Sequence, residues 1–308
     1  MRTPDRRLVW AAMAIIYVVW GSTYLGIKLT LETLPPLLSA SVRFVVAGSI
    51  LGLLAVVAGQ FSSHRPTLRQ WRNAALSGIL LMAGGNAGVV FAEQRIETGV
   101  TALIVSISPL LIGLYLLLFF RDPLPWRAWI GLALGLAGLA LLVQPGGGHL
   151  DLLGVAGALA SVILWAAGSV VASRSAMPER PMLGSAAQMV AGGLVLALEG
   201  LIAGEPGRFH PDHVKWQSLA ALAYLIVFGS LVAFSAFSWL LRVVHVSLVA
   251  TSAYVNPVVA VLLGALVLGE KITIREALAG VVIVGAVVLI VTARAGREAA
   301  VEVPPDPG

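Results

Sequence analysis

The sequence predicts an all-α membrane protein, ten transmembrane helices arranged as two inverted five-helix repeats around a central cavity. Three observations carry this. The 308 residues are 58% hydrophobic and only 11% charged, with a mean hydropathy of +0.94, far too little polar surface to coat a soluble globule. The apolar residues fall into ten segments long enough to cross about 30 Å of hydrocarbon as helices. The chain also repeats itself. At an offset of 145, Trp20 falls on Trp165, Pro36 on Pro181, Gly48 on Gly193, Trp71 on Trp216 and Gly84 on Gly229; three residues are then inserted, and Pro109 falls on Pro257, Asp122 on Glu270 and Arg127 on Arg275.

The first repeat covers 8–144 and the second 151–293. The expected spans are 8–27, 35–58, 71–92, 98–119, 126–144, 151–173, 182–204, 216–240, 246–268 and 276–293. The first runs into Lys28 without an Ala-x-Ala cleavage site, so it reads as a retained span, not a signal peptide. The second carries Gly48-x-x-x-Gly52 and the fifth Gly131-x-x-x-Gly135, small faces for close helix approach. The third holds Gly84-Gly85 beside Asn86, aligned with Gly229-Ser230 of the eighth, where a helix facing the cavity would loosen. The fourth and ninth contain the matched prolines Pro109 and Pro257. Residues 294–308, with Pro304, Pro305 and Pro307, read as a disordered cytoplasmic tail.

Charge sets the orientation. If the N-terminus is cytoplasmic, that side collects thirteen Lys and Arg and the other side six, so the positive-inside rule places both termini in the cytoplasm. Five spans per repeat is odd, so the second repeat enters the membrane upside down relative to the first. Repeats so inverted enclose a substrate site where they meet and suit alternating access. The net charge of +5 is scattered through the gaps between apolar runs, with no basic stripe for nucleic acid. The zero cysteines exclude disulfides and thiol ligation.

The residues Trp20-Gly21-Ser22-Thr23-Tyr24, Arg43-Phe44, Ser108-Pro109, Asn256-Pro257 and Gly269-Glu270-Lys271 resemble the EamA-type branch of the drug/metabolite transporter superfamily. The resemblance covers about 8–293. It implies a ten-helix bacterial inner-membrane carrier, usually an exporter of amino acids or related small metabolites, with a central cavity and no cofactor. Arg121-Asp122-Pro123 stands where that family often shows Gly-Glu, a departure in the shape of one turn.

Candidate site residues follow from depth and chemistry. Pro109 frees the carbonyl of Val105 and Pro257 that of Ala253, because proline in a helix removes a backbone hydrogen bond. In lipid such a carbonyl either lines a cavity or finds another partner. Ser108, Ser252 and Asn256 stand beside these breaks. Trp10, Trp71, Trp126, Trp129, Trp216 and Trp239 fall near helix ends, as interfacial rings do, whereas Trp20 and Trp165 lie deep in their spans. Trp20 shares a helical face with Tyr24 and Lys28, and Trp165 with Ser169 and Ser173; they are either core packing or walls for a substrate. Asn86 is polar at depth. Arg43 is the one ionisable residue well inside a span, and costs roughly 2.5 to 3.5 kcal/mol on insertion scales unless compensated. It could hold a substrate carboxylate or serve as a structural arginine; its repeat partner is the neutral Gln188. Glu93, Glu97 and Glu199 lie toward helix ends.

The expected site is therefore Trp20, Tyr24, Asn86, Ser108, Trp165, Ser169, Gln188, Ser252 and Asn256, with Arg43 as a carboxylate contact and no metal. No zinc helix, nucleophile elbow or P-loop occurs, so an enzyme is not expected. The substrate reading is a small neutral or zwitterionic metabolite such as an amino acid, with hydrophobic drug efflux as the alternative. The partners expected are that small molecule and the lipid bilayer; the sequence leaves monomer and homodimer open.

Overall fold

In a computed structural model of the protein, the described residues are 5–60, 65–121, 126–143, 151–244, 249 and 252–301. Among them the chain is helical, with no strand. Helix α1 is Arg6–Leu31, α2 is Pro36–Val57, α3 is Leu68–Glu93, α4 is Thr98–Phe120, α5 is Trp126–Val143, α6 is Leu152–Arg174 and α7 is Pro181–Ile202. α8 covers 216–243, α9 covers 252–268 and α10 is Ile274–Val301. Seven of these are long and apolar enough to cross a membrane by length and composition, including the stretch Trp216–Phe237 of α8, and shorter apolar helices accompany them. α10 continues to Val301, so the tail expected to be disordered from 294 is helical through that residue; 302–308, and Asp122 with its departure from the family turn, lie outside the described residues.

Helix starts follow local chemistry. The Asp5 and Asp151 side chains accept from the first-turn N–H groups of Arg7 and Leu153 at 2.9 and 2.8 Å, Thr67 and Gln70 form a reciprocal capping box, and α2 and α7 each begin on a proline. These groups satisfy or remove the N–H donors that a helix leaves orphaned.

The third helix of each half departs from α-helical winding in the same place. Ile79–Asn86 in α3 and Leu225–Val232 in α8 are π-helical, a wider winding in which each N–H reaches one residue further back. Both stretches contain the aligned glycines Gly84 and Gly229. α4 is interrupted at 106–107, immediately before Pro109, whereas Pro257 sits inside a continuous helix. The two matched prolines thus have different backbones around them.

Packing pairs the halves with each other. α2 lies along α7, α5 along α10, and α4 against α9; α1 packs on α8 and α9, and α6 on α3 and α4; α3 also meets α7, and α8 meets α2. Exchanging each helix with its counterpart five places on leaves this set of pairings unchanged. Small residues set the closest approaches: a Cβ on Gly48 would lie 2.9 Å from the Met189 Cβ, and one on Gly193 would lie 2.8 Å from the Val45 side chain. The same holds for Gly135 against Leu110 at 2.6 Å. Without a hydrophobic drive between helices in lipid, such close backbone contact is what van der Waals attraction needs.

One end of the bundle is strapped by polar contacts between halves and between neighbours. Glu205, just after α7, accepts from the backbone N–H groups of Leu37 and Leu38 at the start of α2. Glu270, just after α9, accepts from Thr98 N at the start of α4, and Ser218 donates to the Leu29 carbonyl near the end of α1. Lys28 donates to the carbonyls of Glu93 and Ile96, and neighbouring Arg95 pairs with Asp151, which caps α6. The C-terminal end of α1 and the N-terminal end of α6 are therefore at the same end of the molecule.

Candidate functional site

The interior is built where α1 and α6 pass between the halves. Trp20 and Trp165 meet edge to face, ring centroids 6.5 Å apart at 89°, an arrangement the aromatic quadrupole favours. Each ring rests on the π-helical segment of the other half. The Trp20 indole donates to the Gly229 carbonyl at 3.3 Å, and a Cβ on Gly85 would lie 3.0 Å from the Trp165 ring. Glycine in those windings is what lets the rings approach the backbone. Phe237 packs on Trp20 at 4.9 Å, and Tyr24 packs partly buried into the cluster containing both tryptophans.

On the strapped side of this pair lies a small cavity of about 10 Å³, room for about one water molecule, lined among others by Thr30, Ser39, Arg43 and Asn86. Its remaining walls are apolar, from Ile27, Leu31, Ala40, Val90, Leu222 and Leu225. Arg43 is only 6% exposed. Its Nε donates to Ser230 Oγ at 2.9 Å, and its guanidinium carbon stands 4.7 Å from the Phe44 ring centre, a cation–π contact worth about 2 kcal/mol when desolvated. No carboxylate lies within salt-bridge distance of it among the described residues. Asn86 Oδ1 is buried without a hydrogen-bond partner in the same set, which costs about 1 to 3 kcal/mol if nothing else reaches it.

The other expected site residues are placed differently. Ser108 donates to the Val105 carbonyl at 2.5 Å, so the acceptor freed by Pro109 is satisfied locally and does not line a cavity. Ser169 donates to the Trp165 carbonyl one turn back at 2.8 Å. Gln188 donates to Ser77 Oγ at 2.9 Å, and Ser77 donates to the Gly168 carbonyl at 3.0 Å. That chain ties α7 to α3 and α6, and it uses the Gln188 amide for packing. Ser252 is buried. Asn256, with its amide nitrogen turned to the available acceptors, reaches the carbonyls of Ser252 at 3.2 Å and Tyr17 at 3.1 Å, holding α9 to α1. The structure therefore gathers Trp20, Tyr24 and Trp165 in one place and Arg43 and Asn86 beside them, while the Ser108, Ser169, Gln188 and Asn256 side chains bond within or between helices.

Two interior polar groups lie outside the expected site. Glu93 is the last residue of α3, as its position near a helix end implied, but it is completely buried. Its Oε2 accepts from Thr98 Oγ1 at 3.1 Å and its Oε1 has no partner among the described residues. Ser230 holds Arg43; the signal for it was its place beside the aligned Gly229.

The chain matches the model of the EamA-like transporter family twice, over residues 8–144 and 152–292. It is 40% identical over 284 residues to the uncharacterized inner membrane transporter YedA of Escherichia coli (strain K12), covering 92% of this chain and 90% of that one. It is 29% identical over 282 residues to Protein PecM of Dickeya dadantii (strain 3937), covering 89% and 88%. A solved crystal structure of a protein is similar with a TM-score of 0.64 at 22% identity, covering 94% of this chain and 99% of that one; at that identity the likeness speaks to the fold.

Proposed function

Because the chain belongs to the EamA-like transporter family, we propose that it is a ten-span carrier of the bacterial inner membrane that exports a small neutral or zwitterionic metabolite, such as an amino acid, by alternating access. The observation that carries this is the Trp20–Trp165 pair, contributed by equivalent helices of the two halves, each ring against the π-helical segment of the other half. A binding site at the meeting of two repeats is reached from either side when one repeat rocks against the other. The pairing of helices, unchanged when the halves are exchanged, and the shared end of α1 and α6 support an inverted arrangement. Both termini are then on one side, and the Lys and Arg bias makes that side cytoplasmic. The inner-membrane place is supported by the relative YedA, named for it.

The π-helical stretches supply a means of motion. A π winding is less favourable than an α winding, so conversion of 79–86 or 225–232 between the two would shift the register of everything beyond it against α1 and α6. The test is thermal stability of the detergent-purified protein with amino acids, nucleosides, organic anions and lipophilic cations, since a ligand that binds only the folded state raises the melting temperature. Stabilisation by an amino-acid subset, with export from proteoliposomes that Trp165→Ala lowers more than it lowers folded yield, is the expected result. Stabilisation by lipophilic cations alone would move the reading to drug efflux, and equal loss of yield and export would leave Trp165 as packing.

A further inference from the structure

We propose that the groove between α2 and α7, at the end of the bundle away from the strap, binds one anionic phospholipid of the phosphatidylglycerol class, with an acyl chain between the helices and the phosphate at Arg69 and Arg72. This goes beyond the carrier reading and asks only that the chain sit in a bilayer. The groove has a volume of about 270 Å³ and is lined among others by Gly48, Gly52 and Val56 of α2, Ala187 and Val190 of α7, and Trp71 of α3. Both halves of the chain therefore build it. At Gly48 the helices touch, since a Cβ there would lie 2.9 Å from side-chain atoms of Met189 and Val190; one turn on, at Gly52, the nearest atom is the Ala186 Cβ at 3.6 Å. The groove opens where the facing side chains are too small to fill it. Three side-chain amides fix its far end: Gln60 Nε2 donates to Met182 Sδ at 3.1 Å, Gln70 Nε2 to the Met177 carbonyl at 3.1 Å and Asn73 Nδ2 to the Ala176 carbonyl at 3.0 Å. The shape is thus set before anything enters it.

Width excludes a helix as the occupant. From Gly48 to Val56 is about 12 Å at 1.5 Å per residue, and a helix with its side chains is at least about 10 Å across, so a helix over that length needs several times the volume. A second copy of the chain is opposed by charge as well. A two-fold interface between identical chains sets a patch against itself, and Arg65, Arg69 and Arg72 at this end are all exposed. An acyl chain has the width, and hydrocarbon already surrounds the groove.

The arginines supply the polar part of the site. Arg72 lies one turn from both Leu68 and Leu76, which are 84% and 48% exposed, so it springs from the bilayer-facing side of α3 in the helix's first turns. Trp71 beside it is a groove wall, and a ring at that level belongs among head groups. Glu179 and Arg180, the exposed charges leading into α7, offset each other. No carboxylate lies within salt-bridge distance of Arg65, Arg69 or Arg72 among the described residues. A guanidinium takes phosphate with two parallel bonds, and basic pockets between spans bind anionic head groups. Apolar groove and uncompensated cations together describe a lipid with a hydrocarbon tail and a phosphodiester of net negative charge.

The probes are dioleoyl phosphatidylglycerol, phosphatidylethanolamine and phosphatidylcholine, each added in mixed micelles to the delipidated full-length protein, and inorganic phosphate alone. Binding is read by thermal shift and by the lipid retained in native mass spectrometry. Each arginine near an anionic surface contributes about a fivefold gain in affinity, so phosphatidylglycerol is expected to bind up to about thirtyfold more tightly than the two zwitterionic lipids. Arg69→Gln with Arg72→Gln is expected to erase that preference. Arg127→Gln, which removes an arginine held over the Trp126 ring of α5 and outside the groove, is expected to keep it. Gly52→Leu and, independently, Ala187→Leu put a side chain into the groove and are expected to weaken all three lipids, so one misfolded variant does not end the test. Equal binding of the three lipids in wild type, or a preference that survives loss of Arg69 and Arg72, overturns the site. So does inorganic phosphate that stabilises as well as the lipid, or a wild-type dimer mass that Ala187→Leu abolishes, which would assign the groove to a second copy. None of these readouts involves transport, so their failure leaves the carrier reading standing.

Discussion

Removing the Glu205 carboxylate should open one end of the bundle measurably. Both of its oxygens accept from backbone N–H groups, Leu37 and Leu38, each at 2.9 Å. The residue is 8% exposed, and the N-cap residue of α2, Pro35, offers no side-chain acceptor. Glu205 is thus the cap of a helix in the other half of the chain. A hydrogen bond to a charged group contributes about 1.5 to 3 kcal/mol, and a helix cap is worth about 0.5 to 2 kcal/mol. The two bonds share one carboxylate and are not additive, so Glu205→Ala should lose about 2 to 3 kcal/mol. At roughly 2 to 4 °C per kcal/mol for a chain of this order of size, the melting temperature falls by about 4 to 12 °C. Tryptophan fluorescence on heating in detergent reads this directly. Glu205→Gln keeps one acceptor oxygen and should lose about half as much. A melting temperature for Glu205→Ala within about 1 °C of wild type, or a Gln variant as damaged as the Ala variant, would refute the capping argument.

Two further outcomes test the packing. A Cβ at Gly192 would stand 2.5 Å from both the Gly78 carbonyl oxygen and the Met82 Cβ. A backbone oxygen cannot yield, so Gly192→Val should cost about 3 kcal/mol or more and sharply lower the monodisperse yield on size exclusion, whereas Gly207→Ala, with open space around it, should leave yield unchanged. Gln188→Leu removes one buried hydrogen bond while Ser77 still donates to Gly168. It should lower stability by about 1 kcal/mol and leave transport per folded molecule unaltered; lost transport at unchanged stability would return Gln188 to the site.

Backbone-dictated features were legible in this sequence, and features set by helix rotation were not. The offset of 145 aligned Trp20 with Trp165 and Gly84 with Gly229, because a large ring at depth and a missing Cβ constrain the chain wherever they occur. It could not say that the winding there is π. Ser108 and Asn256 stand beside the matched prolines and Gln188 aligns with Arg43, and each side chain bonds a nearby carbonyl or hydroxyl. A helix that is apolar on all sides has no wet face from which its rotation can be read, so a lone polar residue on it points equally well at a neighbour or at a substrate.

The same reasoning explains why Arg43 and Asn86 stand apart from those three. Hydroxyl and amide groups in lipid find partners within reach of their own or the next helix, as Ser108, Ser169 and Gln188 do, since an unmet group costs more than the constraint of bonding it. A guanidinium is too large and has too many donors to be met this way by one hydroxyl, and Asn86 is the last residue of a π-helical stretch whose N–H groups reach further back. Polarity at depth therefore does not identify the site in such a chain. Polarity left over after local partners is the narrower signal, and among the described residues the buried side-chain atoms so left are Asn86 Oδ1 beside the tryptophan pair, Glu93 Oε1 at the strapped end and Gln60 Oε1 just after α2.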